Sequence, residues 1–178
     1  LDRFKQIEPV VLICVDGYSY NGKTYSTVET SNVLAREIPH LKHIIVVPHL
    51  DLDFKKTEID FPSTFTWNEF SNGFDELSFS YPSFPFNQPL SILYSSGTTG
   101  LPKCIVHGAG GALLQHHKEH ALHTNIGRDD VVFYYTSTGW MMWNWLVSVL
   151  AQQATIVLYD GSPAYPSLEM LWSLVEET

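Results

Sequence analysis

Short runs of β-branched and other apolar residues recur along the chain, and they constrain its fold most strongly. Residues 10–15 and 43–47 are two such runs, and Pro48 closes the second. Between them, residues 24–38 carry apolar side chains at helical spacing until Pro39 ends the pattern. A strand, a helix and a strand in this order predict a βαβ unit whose two strands are parallel.

The same alternation returns in the second half of the chain and predicts the α/β class, with largely parallel sheets flanked by helices. The predicted strands are residues 90–94, 104–107, 131–136 and 155–160, and the predicted helices are 109–123, 141–153 and 166–176. Residues 49–89 are rich in Pro, Ser and aromatic residues. We interpret them as an irregular connection between two βα subregions, with one helical turn at 67–70.

Charge and composition exclude several classes of function. The 178 residues have a formal net charge of -9, which disfavours general binding to a nucleic-acid backbone. The two cysteines, Cys14 and Cys104, form no disulfide framework or zinc-binding spacing. The N-terminus lacks an apolar signal core, and no apolar stretch approaches the roughly 20 residues that span a bilayer. These features predict a cytosolic protein without membrane insertion.

One loop combines the residue types that bind phosphate. Residues 95–103 read Ser-Ser-Gly-Thr-Thr-Gly-Leu-Pro-Lys and directly follow a predicted strand. Glycines let the backbone approach a ligand, consecutive N–H groups and hydroxyls can donate to phosphate oxygens, and the lysine adds positive charge. The spacing matches neither a Walker A loop nor a dinucleotide-binding G-x-G-x-x-G motif. The loop therefore predicts a polyphosphate site of another kind.

This loop resembles the signature phosphate loop of the adenylate-forming superfamily, which includes acyl-CoA synthetases. The resemblance implies the large N-terminal domain of such an enzyme, with residues 1–178 forming part of an AMP-binding (adenylation) domain. It implies that the enzyme uses ATP and Mg²⁺ and takes CoA as a co-substrate. It also implies that the loop binds ATP phosphates; the implied residues are Ser95, Ser96, Gly97, Thr98, Thr99, Gly100 and Lys103.

Similarity beyond the loop narrows the resemblance to the acetoacetate–CoA ligases of that superfamily. It rests on residues 103–111, 135–145 and 157–163. The reaction implied is activation of acetoacetate to acetoacetyl-AMP, followed by transfer to CoA with release of AMP and pyrophosphate. The alternatives are a related acetyl- or propionyl-CoA synthetase and a truncated, non-catalytic nucleotide-binding or interaction module.

The apolar segment 139–145 is the candidate acyl pocket. The family places Trp140 beside the acyl group, Met141 offers an apolar wall, and Asn144 offers a polar contact for a ketone oxygen. We interpret Met142, Trp143 and Trp145 as core residues of the following helix.

The resemblance further implies a catalytic lysine in a C-terminal domain that this chain does not include, so we assign no catalytic residue and expect an internal fragment that is inactive alone. His116 and His120 match the H-x-x-E-H pattern of some zinc enzymes. The sequence indicates no third ligand, so a helix surface explains the pair better than a metal site does.

Overall fold

A computed structural model describes residues 1–73, 80–95 and 100–178 of the chain. Within these ranges, contacts divide the molecule into two units, Leu1–Tyr81 and Pro82–Thr178. The two units are described separately below.

The first unit is built on a parallel three-stranded sheet. After a short helix α1 (Phe4–Ile7), the sheet has the order β1 (Val11–Val15), β4 (His43–Val47) and β5 (Thr64–Thr66). Both neighbouring pairs are parallel, which confirms the predicted βαβ unit. The connecting helix, α2 (Val28–Glu37), ends before Pro39 because the residue that precedes a proline disfavours the helical conformation.

The main apolar cluster of this unit lies on one side of the central strand. Ile44 and Val46 of β4 are completely buried, and they pack with residues that follow α2 and β4, namely Ile38, Leu41, Phe54 and Ile59. One face of the edge strand β1 is accessible to solvent, because Val11 and Ile13 are both exposed there. The continuous apolar run at residues 10–15 predicts a buried strand, and this is wrong for the face that carries Val11 and Ile13.

A hairpin lies between β1 and α2. Strands β2 (Gly17–Tyr20) and β3 (Lys23–Ser26) pair antiparallel around Asn21 and Gly22. Both turn residues have positive φ, 51° and 73°, as the tight two-residue turns of hairpins require. The dipeptide Asn21-Gly22 is itself a sequence signal for such a turn. Residues 24–27 were wrongly assigned to the helix, which begins only at Val28.

The segment 49–89 contains more regular structure than its composition predicts. The helical turn predicted at 67–70 is confirmed as α3 (Trp67–Ser71). A capping box stabilises its start: Thr66 Oγ1 accepts from the Glu69 N–H, and Glu69 Oε2 accepts from the Thr66 N–H at 2.9 Å. Strand β5 was not predicted, because three residues are too few to show an alternating pattern.

The second unit begins with an antiparallel ribbon and a helix. Strands β6 (Pro89–Ser95) and β7 (Lys103–Gly108) form the ribbon. The sequence predicted a strand at both segments but not their antiparallel pairing. Helix α4 (Ala109–Lys118) continues directly through a π-helical turn, Glu119–His123, so the helix predicted at 109–123 is confirmed.

The remaining elements add a parallel strand pair and two helices. Strands β8 (Val131–Phe133) and β9 (Thr155–Val157) are parallel, and each ends three residues before its predicted limit. Helix α5 (Met141–Ser148) continues as a 3₁₀ turn to Gln152, close to the prediction. Helix α6 (Met170–Glu177) begins four residues later than predicted. Both units therefore have the predicted α/β character, and their parallel sheets are accompanied by two antiparallel ribbons.

Candidate functional site

The β6–β7 ribbon brings the two ends of the predicted phosphate loop together. Ser95 and Lys103 are the last residue pair of the antiparallel ladder, next to the pair Tyr94 and Cys104. Paired residues in such a ladder have their Cα atoms about 4.5–5.5 Å apart. The loop is therefore closed at its base by main-chain pairing.

Three of the seven predicted phosphate-binding residues are described, and all three lie at or near this base. Ser95 is half-buried at the end of β6, and Lys103 is exposed at the start of β7. Gly100 has a φ of +98°, a conformation that favours glycine, with open space where a side chain would project. The other four, Ser96, Gly97, Thr98 and Thr99, lie outside the described residues. The assignment of this loop to phosphate stays a prediction.

A cavity of about 260 Å³ lies between the ribbon and helices α4 and α5. Of the three predicted acyl-pocket residues, Met141 and Asn144 line the cavity, whereas Trp140 does not and is 71% exposed. Trp143, which we interpreted as core, lines it instead. Whether an acyl group binds here stays a prediction.

The cavity is close to the loop along the ribbon. Leu93 of β6 lines the cavity and precedes Ser95 by two residues on the same strand. At about 3.4 Å per residue, this separation is roughly 7 Å. A ligand of moderate length could therefore contact both the cavity and the loop.

A hydrogen-bond network centred on Ser148 joins α5 to α4 beside the cavity. Ser148 Oγ lies 2.7 Å from the Trp145 carbonyl oxygen, 2.9 Å from His120 Nε2 and 3.0 Å from His116 Nδ1. Both Ser148 and His116 line the cavity, and His120 is completely buried behind them. Sequence reasoning weighed the two histidines as metal ligands and favoured a helix surface, which is wrong for the buried His120. It did not single out Ser148.

Burial controls the ionisation of these two histidines. It lowers the pKa of His116, and the Glu119 carboxylate opposes that effect without reversing it. Burial likewise lowers the pKa of His120, helped by the neighbouring His116. Both shifts favour the neutral form of the ring at physiological pH. Among residues 1–73, 80–95 and 100–178, no three His, Cys, Asp or Glu side chains are grouped as a metal site would require.

Glu119 and Trp145 make a second connection between the two helices. The Trp145 indole N–H donates to Glu119 Oε2 at 3.0 Å, and Gln115 donates to Glu119 Oε1 at 2.5 Å. The Trp145 ring also meets the His120 ring edge to face, with centroids 4.5 Å apart. These contacts fix the helix face that carries His116 and His120.

Comparison with known proteins identifies the family of the chain. The family model described as AMP-binding enzyme matches residues 2–178. The chain belongs to the AMP-binding enzyme family. Among members of the family, it is 44% identical to the acetoacetyl-CoA synthetase of Gallus gallus, over 99% of this chain and 27% of that protein. It is also 44% identical to the acetoacetyl-coenzyme A synthetase of Rhizobium meliloti (strain 1021), over 97% of this chain and 26% of that protein.

A solved structure of another family member confirms the fold. The acetoacetyl-CoA synthetase from Streptomyces lividans superposes with a TM-score of 0.90 at 46% identity, over 99% of this chain and 26% of that chain. These findings confirm the resemblance to the acetoacetate–CoA ligases. The chain spans about a quarter of the length of these relatives. No helix in the described part of the chain is long and apolar enough to cross a membrane.

Proposed function

We propose that the full-length protein containing this chain activates acetoacetate with ATP and transfers the acyl group to CoA. The first step forms acetoacetyl-AMP and pyrophosphate, and the second forms acetoacetyl-CoA and AMP. The main support is the coincidence of a phosphate-type loop, closed by the Ser95–Lys103 pair, with relatives that are named acetoacetyl-CoA synthetases.

In this proposal the loop stabilises the charge of ATP and of the leaving pyrophosphate. The backbone N–H groups and hydroxyls of residues 95–100 donate to the β- and γ-phosphates, and the Lys103 ammonium neutralises part of their charge. The ribbon holds two of these donor residues, Ser95 and Lys103, opposite each other before ATP arrives. Such preorganised donors favour the transition state, in which charge on the phosphates is concentrated.

The cavity beside the ribbon is the proposed acyl site. Met141 supplies an apolar wall, and the Asn144 amide is free to donate to the ketone oxygen of acetoacetate, since no described residue bonds to that amide. Trp140 would contribute only from the exposed start of α5. Cys14 and Cys104 are half-buried and not joined in a disulfide, which suits a reducing compartment, so we propose the cytosol as the location of the reaction.

Magnesium is the expected companion of ATP, but the described residues do not form a site for it. They contain no group of three acidic, histidine or cysteine side chains. Mg²⁺ commonly binds through the substrate phosphates and one or two carboxylates. We therefore assign none of these residues to the metal.

The deciding measurement is acetoacetate-dependent exchange of labelled pyrophosphate into ATP by the full-length protein, with acetate and propionate as competing substrates. We expect the highest kcat/KM for acetoacetate. A preference for acetate or propionate would assign the protein to a neighbouring short-chain acyl-CoA synthetase. No exchange with any of the three acids would support a non-catalytic nucleotide-binding module.

The Lys103→Ala variant tests the phosphate role within that assay. Loss of one charge-assisted contact to phosphate, worth about 1.5–3 kcal/mol, predicts a kcat/KM for ATP lower by roughly tenfold to a hundredfold. The control is Lys42→Ala, which removes another exposed lysine, in the first unit. Equal effects of the two substitutions would contradict the assignment of Lys103.

A further inference from the structure

The network around Ser148 determines where its protons lie. A carbonyl oxygen only accepts, so the single Ser148 hydroxyl proton is donated to the Trp145 carbonyl, 2.7 Å away. Ser148 Oγ then has only lone pairs for its other two neighbours. His120 Nε2 and His116 Nδ1 must therefore both carry a proton and donate to it.

This arrangement fixes the tautomer of each neutral ring. In His120 the proton is on Nε2, and the bare Nδ1 is buried with no hydrogen-bond partner among the described residues. A second proton on His120 would bury an unpaired charged N–H, so the ring stays neutral. In His116 the proton is on Nδ1, so Nε2 carries a lone pair.

The His116 Nε2 lone pair is available to a ligand. No described residue makes a hydrogen bond to this nitrogen, and the ring lines the cavity while its Nδ1 is turned to Ser148. Most of the surrounding wall is apolar; it includes Leu90, Leu93, Leu113, Met141 and Val147. The cavity thus presents an oriented acceptor in a largely apolar surface.

We propose that this cavity is a binding site for small neutral molecules that combine an apolar body with a hydroxyl or N–H donor. The donor bonds to His116 Nε2, and the body contacts the apolar wall. A volume of about 260 Å³ lies just below the roughly 300–1,000 Å³ of pockets for drug-sized ligands, so the ligand is a small one.

The inference does not depend on the proposed reaction, but it specifies how an acyl group would lie in the same cavity. A ketone oxygen only accepts, and neutral His116 offers it no donor. The ketone of acetoacetate would therefore face the Asn144 amide and point away from His116. The hydroxyl group of a 3-hydroxy acid could donate to His116 Nε2 and accept from the Asn144 amide.

Cyclohexanol and cyclohexanone provide a matched pair of probes. They have nearly the same shape, but only the alcohol can donate. Binding of each to the full-length protein is followed by ligand-observed and protein-observed NMR. Because the ketone could accept from the Asn144 amide, the two probes are compared in an Asn144→Leu background, where only the alcohol keeps a hydrogen-bond partner and should bind roughly tenfold more tightly. Equal affinities, or no binding of either probe, would overturn the proposal.

Two variants test the role of the network. In Ser148→Ala, His116 is free to place its proton on Nε2, so the preference for the alcohol should fall to about twofold or less. His116→Phe should abolish the preference while keeping an apolar wall. A variant that retained the tenfold preference would contradict the role of His116 as acceptor.

Ring ¹⁵N spectra of the histidines provide a readout that does not depend on affinity. In the wild type, His116 should show a protonated Nδ1 and a bare Nε2, and His120 the reverse. The opposite tautomer at His116 in the wild-type protein would refute the inference even if both probes bound. The spectra also show whether each variant keeps its folded state.

Discussion

At the scale of single residues, Asp16 shows how one buried charge organises a loop. Its side chain is 7% exposed and follows directly on β1. The carboxylate accepts from three successive backbone N–H groups: His49 at 2.7 Å, Leu50 at 3.1 Å and Asp51 at 2.8 Å. These bonds hold the chain where it leaves β4. The buried charge is thus compensated by backbone donors.

Replacing Asp16 by Asn should disrupt this anchor. The amide group of Asn would turn a donor toward backbone N–H groups that are themselves donors. Loss of hydrogen bonds to a charged acceptor predicts a free energy of unfolding lower by about 1.5–3 kcal/mol. Hydrogen exchange should show faster exchange at residues 49–51. Asp53→Asn, at a nearby exposed carboxylate, is the control and should leave that exchange unchanged.

The same anchor predicts a dependence on pH. Burial by itself would raise the pKa of Asp16, but the backbone N–H bonds outweigh it, and the net pKa lies below its usual value near 3.8. A depressed pKa means that the carboxylate stabilises the fold above the unfolded pKa and loses this effect as pH falls through the folded one. The side-chain carboxyl ¹³C signal of Asp16 should therefore show its transition below pH 3.8. A transition at higher pH would contradict the anchor.

At the scale of elements, the start of α4 depends on the segment before the ribbon. The first two helical N–H groups donate to that segment: Ala109 to the Gln88 carbonyl at 2.7 Å and Gly110 to the Phe86 carbonyl at 2.9 Å. These groups would otherwise lack partners at a helix N-terminus. The Phe86 ring also covers Gly110, where a Cβ would come within 2.3 Å of it.

Two adjacent glycines provide a test of this packing. Gly110→Ala should be destabilising by about 1–3 kcal/mol, because the Phe86 ring must move. Gly111→Ala meets no atom within 4 Å and should stabilise the helix by about 0.5–1 kcal/mol. Thermal unfolding of both variants measures the difference. In a Phe86→Ala background the cost of Gly110→Ala should disappear; if it persists, the ring is not its cause.

Sequence patterns predicted elements well where the signal was long and local. The strand at 43–47 and the helices starting at Ala109 and Met141 have continuous patterns and clear ends, and the structure confirms them. The errors lie in short or non-local features. Strand β5 has three residues, and β3 could be assigned only by its pairing with β2. The partner of β5 is β4, which is distant in sequence, whereas β3 pairs with the adjacent β2 but lacks the apolar alternation that would mark it as a strand.

The candidate site shows the same division. The sequence motif predicted a phosphate loop at residues 95–103. The pairing of β6 with β7 explains why the two ends of that loop lie together. The exposure of Trp140, the inclusion of Trp143 in the cavity wall and the convergence of His116 and His120 on Ser148 depend on how α4 packs against α5. A histidine pair four residues apart indicated a shared helix face, but only the fold shows that a serine lies opposite it.

At the scale of the whole molecule, the two units should respond separately to substitution. Contacts cluster within Leu1–Tyr81 and within Pro82–Thr178. Local opening generally follows such cooperative units. Hydrogen exchange of Asp16→Asn should therefore change only in the first unit, and that of Gly110→Ala only in the second. Their effects on stability should add to within about 0.5 kcal/mol. Altered exchange in both units of either variant would contradict this expectation.

The pairing of Ser95 with Lys103 also bears on which changes of length the chain can tolerate. Side chains alternate between the two faces of a strand, so a residue inserted within β6 or β7 would turn every following side chain of that strand to the opposite face. A residue inserted between the paired ends would leave the ladder unchanged. Insertions and deletions among related sequences should therefore occur mainly outside the strands. There a change of length affects ligand affinity and leaves the folding of the ribbon unchanged.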